Sequence, residues 1–186
     1  MRGWRAVVVG LTCAACLMAC GDSAGGEKTA ETSTTTITTL APQPAGSDPS
    51  ISAKMICAPE AQKDLAKSLG VTASTVTTPT WVDHVYSCRY VYPNAGISLS
   101  LKELDSAAET TSYFDGLEQQ LGRTETLAMG EGAFLTNTGS IVVRKDWKVL
   151  YIDVSQVPAT FGQNSLRHRE TAISIAFVIL GCWTGA

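Results

Sequence analysis

The chain has 186 residues, a net charge of −3 and six cysteines, and 45% of its residues are hydrophobic. This length and apolar content suffice for one ordinary domain with a sizeable core. The acidic balance, without a run of Lys and Arg, argues against a nucleic-acid partner and against peripheral binding to anionic lipid headgroups.

The amino-terminal segment has the layout of an export signal. Arg2 and Arg5 precede an apolar run over residues 6–18, which is about as long as a signal-peptide core and shorter than the roughly 20 residues of a spanning helix. The run ends in Leu-Met-Ala-Cys at residues 17–20. This ending resembles the bacterial lipobox. The resemblance implies a signal peptide over residues 1–19 and acyl chains such as palmitate on Cys20, which would anchor the protein in the lipid bilayer at the extracytoplasmic face of the cell membrane.

The segment after Cys20 is compositionally unlike a folded domain. Residues 21–50 consist mainly of Gly, Ser, Thr, Ala and Pro, with almost no apolar side chains. Such a chain cannot bury enough surface to offset the entropy of ordering. We therefore expect residues 20–50 to be a lipidated cysteine with a disordered tether, and residues 51–186 to form a single extracytoplasmic domain.

The first half of that domain predicts a helix and a hairpin. Apolar residues recur at helical spacing from Pro59 to Leu69, before Gly70, a favourable residue just past a helix end. Residues 81–92 are rich in β-branched and aromatic side chains and predict one strand. A turn at residues 93–96 leads into residues 97–102, which alternate between apolar and polar and predict the return strand.

The second half predicts a helix, three strands and a last helix. Ser106 and Glu109 have capping-box spacing at the start of a helix that ends near residue 122. Residues 133–136, 140–145 and 148–155 then predict a three-strand meander, and residues 165–180 an increasingly apolar helix. We therefore predict an α+β fold: an antiparallel sheet of about five strands, made of the hairpin and the meander, with helices packed on one face.

Three cysteines remain after the predicted lipidation site. Cys57, Cys88 and Cys182 would lie in a compartment where disulfides persist. Because three is an odd number, at most one intramolecular bridge forms. We favour Cys57–Cys88, and the two pairings through Cys182 stay open because sequence does not fix connectivity.

The sequence offers little for catalysis, a metal or a cofactor. His84 follows Asp83 in the predicted strand, so their side chains are expected on opposite faces, and His168 lies between two arginines in what we expect to be a solvated setting. Neither histidine has a second ligand at metal spacing, and no phosphate-binding or nucleophile motif occurs. Cys182 as a nucleophile is the one enzymatic alternative.

Aromatic side chains supply the best candidate for a ligand surface. Tyr86, Tyr90 and Tyr92 alternate along the predicted strand, with Trp81 at its start. If that sheet face is open, the rings suit glycans, aromatic ligands or a protein partner. If helices cover it, the rings are core and cross-strand packing. We favour the core interpretation.

The lipobox at Cys20, the Thr- and Pro-rich tether, Cys57 before a helix and Ser-Cys-Arg-Tyr around Cys88 together resemble small actinobacterial, mycobacterial-type envelope lipoproteins. The resemblance implies a membrane-anchored, non-enzymatic binding or interaction module of the cell envelope, whose partner is an envelope protein or a glycan. It carries over no catalytic residue. The alternatives are a thiol-dependent envelope enzyme that uses Cys182, and an accessory subunit of an envelope complex.

Overall fold

The computed structural model describes residues 41–183. The predicted signal peptide, the predicted lipidation site Cys20 and residues 21–40 of the predicted tether lie outside this range. The helices within it are α1 (Ile51–Met55), α2 (Pro59–Leu69), α3 (Ala107–Leu121) and α4 (His168–Cys182). The strands within it are β1 (Thr75–Val76), β2 (Thr80–Val82), β3 (Val85–Tyr92), β4 (Ala95–Glu103), β5 (Arg123–Leu127), β6 (Gly132–Thr136), β7 (Ile141–Lys145) and β8 (Lys148–Gln156).

The strands form one antiparallel sheet in the order β1-β3-β4-β8-β7-β6-β5, with β2 also paired to β3. The fold is α+β as predicted, but the sheet has eight strands rather than about five. The predicted single strand over residues 81–92 is a hairpin, because Asp83 and His84 adopt φ values of 49° and 56° and form a two-residue turn between β2 and β3. The strand β5 was not predicted, because four of its five residues are exposed and it shows no apolar alternation.

Helices cover both faces of the sheet. The helices α1, α2 and α4 share a core with the sheet face that carries Leu99, Leu150 and Ile152. The helix α3 packs on the other face, where Phe114 meets Phe134, and the same cluster includes Val142 and Val149. The prediction that the helices pack on one face is therefore wrong. The physical reason is that β6, β7 and β8 are apolar on both of their alternating faces, so each face needs its own cover.

The helix ends follow their local sequence signals. The Oγ of Ser106 accepts a hydrogen bond from the Glu109 backbone N–H at 3.2 Å, and the Glu109 carboxylate accepts one from the Asp105 N–H at 3.0 Å. The first bond satisfies an orphan donor of α3, and the second holds the residue before the cap, Asp105, in place of the Ser106 N–H that a full capping box would use. At the end of α2, Gly70 has a φ of 66°, which glycine adopts without strain. Both predicted helix boundaries are confirmed.

The folded region begins before residue 51. The Ala45 N–H donates to Asp105 Oδ1 at 3.1 Å, and the Trp81 indole N–H donates to the Ser47 carbonyl at 2.9 Å. Ser50 then caps α1, with its Oγ accepting from the Ala53 N–H, while its own N–H donates to the buried Glu103 carboxylate at 3.2 Å. Residues 45–50, which the sequence assigns to the tether, are therefore bound to the domain.

Candidate functional site: the helical groove around Cys182

The tyrosines of β3 lie in the core. The side chains of Tyr90 and Tyr92 are only 1% and 4% exposed. The Tyr90 hydroxyl donates to the Ile56 carbonyl at 2.7 Å, and the Tyr92 ring meets the Phe161 ring edge-on with centroids 4.9 Å apart. The helices that cover this face thus remove both rings from any ligand surface, in agreement with the core interpretation.

Trp81 and Tyr86 do not provide the candidate aromatic ligand surface without Tyr90 and Tyr92. Trp81 lies on β2, directly opposite Tyr86 on β3, and both side chains are half-buried. The Trp81 ring stacks on His84 with centroids 5.7 Å apart, and its only N–H is already bonded to Ser47. Trp81, Tyr86, Tyr90 and Tyr92 therefore do not form the ligand surface that an open sheet face would have provided.

The buried tyrosines make the fold sensitive to alkali. Burial raises the pKa of Tyr92 to about 12, and burial, reinforced by the nearby Tyr92 phenol, raises the pKa of Tyr90 as well. In an unfolded chain the pKa is about 10, so the folded state keeps protons that the unfolded state releases. The free energy of unfolding should therefore stay constant up to about pH 10. Above that pH it should fall as the pH rises towards 12, by up to about 1.4 kcal/mol per pH unit for each tyrosine.

Urea unfolding at a series of pH values measures this dependence. The Tyr92→Phe variant, which has no phenol to ionise at that position, is the matched control and should show a shallower decline. A phenolate absorbance that develops at pH 10 for all five tyrosines while the fold stays intact would contradict the expectation.

Cys57 and Cys88 form the disulfide that we favoured from the sequence. The bridge joins the connection between α1 and α2 to the middle of β3, across a sequence separation of 31 residues. Cys182 is free, so the two alternative pairings are excluded. Among residues 41–183, Cys182 is therefore the one cysteine outside the disulfide.

Neither histidine occupies the setting predicted for it. His84 lies in the turn between β2 and β3 rather than in a strand. The expected placement of the Asp83 and His84 side chains on opposite faces of a strand therefore does not hold. The half-buried His168 ring bridges two loops: its Nε2 lies 2.7 Å from the Val157 carbonyl and its Nδ1 lies 3.1 Å from the Thr138 carbonyl. His168 thus links the start of α4 to two loops through its ring nitrogens, and its side chain is not the solvated one that we expected.

The helix α4 is apolar around most of its circumference. Ile175, Ala176 and Ile179 are at most 1% exposed and face the sheet. On the outer side, Phe177 is 64% exposed, and Val178 beside it is half-buried. A helix that is apolar all round is normally covered all round, so the outer side of α4 has the character of a contact surface.

Two clefts flank the end of α4. The first, of about 410 Å³, lies between α2 and α4 and is lined by Asp64, Lys67, Ser68, Phe177, Val178, Gly181 and Cys182. The second, of about 330 Å³, lies between α1, α2 and the end of α4 and is lined by Ile51, Lys54, Met55, Ala58, Glu60, Ala61 and Cys182. Cys182 lines both clefts, so they form one surface, which we call the Cys182 groove.

The groove is suited to binding and poorly equipped for thiol catalysis. The half-buried Cys182 thiol has the Asp64 carboxylate as its hydrogen-bond partner, with Sγ 3.9 Å from Oδ2. His168 lies at the opposite end of α4, roughly 20 Å away at 1.5 Å per helical residue, and His84 is engaged with Trp81. The geometry thus gives Cys182 no histidine base.

Sequence reasoning did not find Phe177 or Ile51, the most exposed apolar side chains of the groove at 64% and 77%. The signal was present in the composition of α4. Its apolar residues exceed what one buried face requires, and this excess is consistent with complete burial. The excess is equally consistent with a helix whose second face meets a partner.

Within residues 41–183, no helix combines the length and apolar character that a membrane crossing requires. In the same range, no cluster of three or more His, Cys, Asp or Glu side chains has the geometry of a metal site. No protein-family model, curated protein or solved structure matches this chain.

Proposed function

We propose that this protein is a lipid-anchored lipoprotein of the extracytoplasmic membrane face, and that its domain is a non-enzymatic interaction module of the cell envelope. The anchor is proposed from the lipobox-like ending at Cys20. The interaction role is supported by one observation above all, the exposed apolar side chain of Phe177 beside the clefts of the Cys182 groove.

The character of the groove favours a protein partner over a glycan. Sugar-binding sites combine aromatic platforms with polar groups that bind hydroxyls, whereas the cleft beside Ile51 and Met55 is mainly lined by apolar atoms. An exposed apolar patch rimmed by charges is typical of a protein–protein interface. A tether of some tens of residues keeps the groove at high effective concentration near the membrane surface.

The proposal is tested in intact cells that express the full chain and are fed an alkyne-bearing fatty acid. A photoreactive benzophenone side chain is placed at position 177. We expect the fatty-acid label on the mature protein, because Cys20 carries the anchor, and a covalent protein adduct after illumination, because the outer side of α4 contacts a partner.

Matched controls separate the two parts of the proposal. Cys20→Ser should abolish the label, whereas Cys182→Ser should retain it. The same photoreactive group at position 82, where Val82 is 63% exposed on β2 far along the chain from α4, should give no adduct. A label that survives Cys20→Ser would contradict the anchor, and the absence of any adduct from position 177 would contradict the interaction role.

A further inference from the structure

We infer that the partner of the Cys182 groove is a second copy of this chain, and that the two copies pair around a two-fold axis near Cys182 and join through a Cys182–Cys182 disulfide. The inference rests on the proposed interaction function and names the partner. It draws on three independent features of the groove: its shape, the charges on its rim and the free thiol at its centre.

The groove has an exposed apolar side chain and a cleft at each of its two ends. One end carries the exposed Phe177 ring beside a cleft of about 410 Å³, and the other end carries the exposed Ile51 side chain beside a cleft of about 330 Å³. Cys182 lies between the two ends because it lines both clefts. A two-fold rotation about an axis through Cys182 exchanges the ends, so Phe177 of each copy meets the cleft beside Ile51 of the other.

The rim charges are complementary under the same rotation. The Phe177 end carries Lys67 and the Ile51 end carries Lys54 and Glu60, whereas Asp64 lies at the centre beside Cys182. All four side chains are exposed. In the part of the chain that the structure describes, the four ion pairs all lie elsewhere and involve none of these residues.

Glu60 and Lys67 lie on either side of Asp64 along α2, so exchange of the ends places the Lys67 ammonium of each copy opposite the Glu60 carboxylate of the other. Opposite charges on facing rims fix the register of an interface and suppress other partners. A groove that carries charges of both signs fits a second copy better than it fits a lipid bilayer, whose headgroups favour a basic patch.

The free thiol completes the interface by disulfide exchange. The Cys57–Cys88 bridge leaves Cys182 as the remaining thiol of the described chain, and an external disulfide, of a protein or a small molecule, is the oxidant. One Cys182 thiolate attacks that disulfide and releases a first thiolate. The Cys182 thiolate of the second copy then attacks the mixed disulfide and releases a second thiolate. The two released thiolates take up the two protons lost from the cysteines. The external disulfide is thereby reduced to two thiols, and the two Cys182 thiols are oxidised to the new disulfide.

The test uses the lipidated full-length protein, alkylated at lysis and purified in detergent. On a non-reducing gel we expect a species of twice the monomer mass that reduction converts to monomer. Cys182→Ser should remove this species but leave a non-covalent dimer in sedimentation velocity. In the Cys182→Ser background, Phe177→Asp should raise the dimer dissociation constant at least tenfold, whereas Val82→Asp, equally exposed on β2, should leave it unchanged.

A charge exchange tests the predicted register without altering the apolar surface. Lys67→Glu should weaken the non-covalent dimer about tenfold, because two ion pairs per dimer become repulsive, and adding Glu60→Lys should restore the dissociation constant to within about threefold. Circular dichroism shows whether each variant is folded. We expect every variant to fold, because all the substituted side chains are exposed.

Three results would overturn the inference. The first is a disulfide dimer that forms as readily in Phe177→Asp, because that would be oxidation without an interface. The second is a monomeric Cys182→Ser protein. The third is an adduct from position 177 that contains a different protein. That result would leave the proposed interaction function standing, whereas the absence of any adduct would contradict both the interaction function and the inferred dimer.

Discussion

Replacement of both Cys57 and Cys88 by alanine is expected to lower the free energy of unfolding by about 3.5 kcal/mol. The bridge closes a loop across 31 residues, and the chain-entropy model assigns a loop of this length about that stabilisation through restriction of the unfolded chain. Both cysteines are nearly buried, at 6% and 5% exposed, so the loss of packed sulfur atoms adds to the effect. Urea unfolding at pH 7, monitored by circular dichroism, measures the difference.

The matched control for this prediction is Cys182→Ala, which removes a cysteine that forms no disulfide within the domain. Its free energy of unfolding should lie within about 0.5 kcal/mol of that of the parent protein, which is measured as the monomer with its Cys182 thiol alkylated. A double variant as stable as the parent would show that the bridge does not restrict the unfolded chain. A large effect of Cys182→Ala would show that the thiol is part of the core.

Phe114→Ala is expected to lower the free energy of unfolding by about 3 kcal/mol. The Phe114 ring is 8% exposed and meets the Phe134 ring edge-on with centroids 5.1 Å apart, and loss of a buried phenylalanine costs about 3–5 kcal/mol. The buried part of this cluster contains only five residues, so little else holds α3 on its face of the sheet. Amide hydrogen exchange of α3 should therefore accelerate more than that of α4.

The neighbouring residue on the same helix provides the control. Tyr113 is 36% exposed, and Tyr113→Ala should change the free energy of unfolding by less than about 1 kcal/mol. Similar losses in the two variants would contradict the packing of α3 through Phe114. A Phe114→Ala protein in which α3 and α4 exchange at equally increased rates would show that the two sheet faces unfold as one unit.

Much of the fold was readable from periodicity and end signals. Residues 97–102 alternate strictly, and Ser106, Glu109 and Gly70 mark helix ends by well-understood hydrogen bonds and backbone preferences. The turn at Asp83 and His84 escaped prediction because such turns usually reveal themselves through Gly or Asn, which tolerate positive φ. The apolar sequence on both sides of that turn then looked like one continuous strand.

The placement of α3 could have been inferred from a signal that went unused. Residues 133–135 and 141–143 are continuous apolar runs, and such runs indicate a strand buried on both faces. The groove is harder to predict, because it forms where α1 and α2, which are adjacent in sequence, meet the end of the distant helix α4 at Cys182. No local spacing in the sequence reports that convergence, and only the surplus of apolar residues in α4 hints at it.

The position of the Cys57–Cys88 bridge also determines how the domain responds to mechanical force. A pull on the amino-terminal side of the chain first meets the hydrogen bonds of residues 45–50 and the single short helix α1. These elements can detach from the domain and unfold, which lengthens the chain by about 3.5 Å per released residue. At Cys57 the extension stops, because the force then passes through a covalent bond into β3, in the interior of the sheet. The bridge thus sets a fixed limit to the extension and spares the three larger helices.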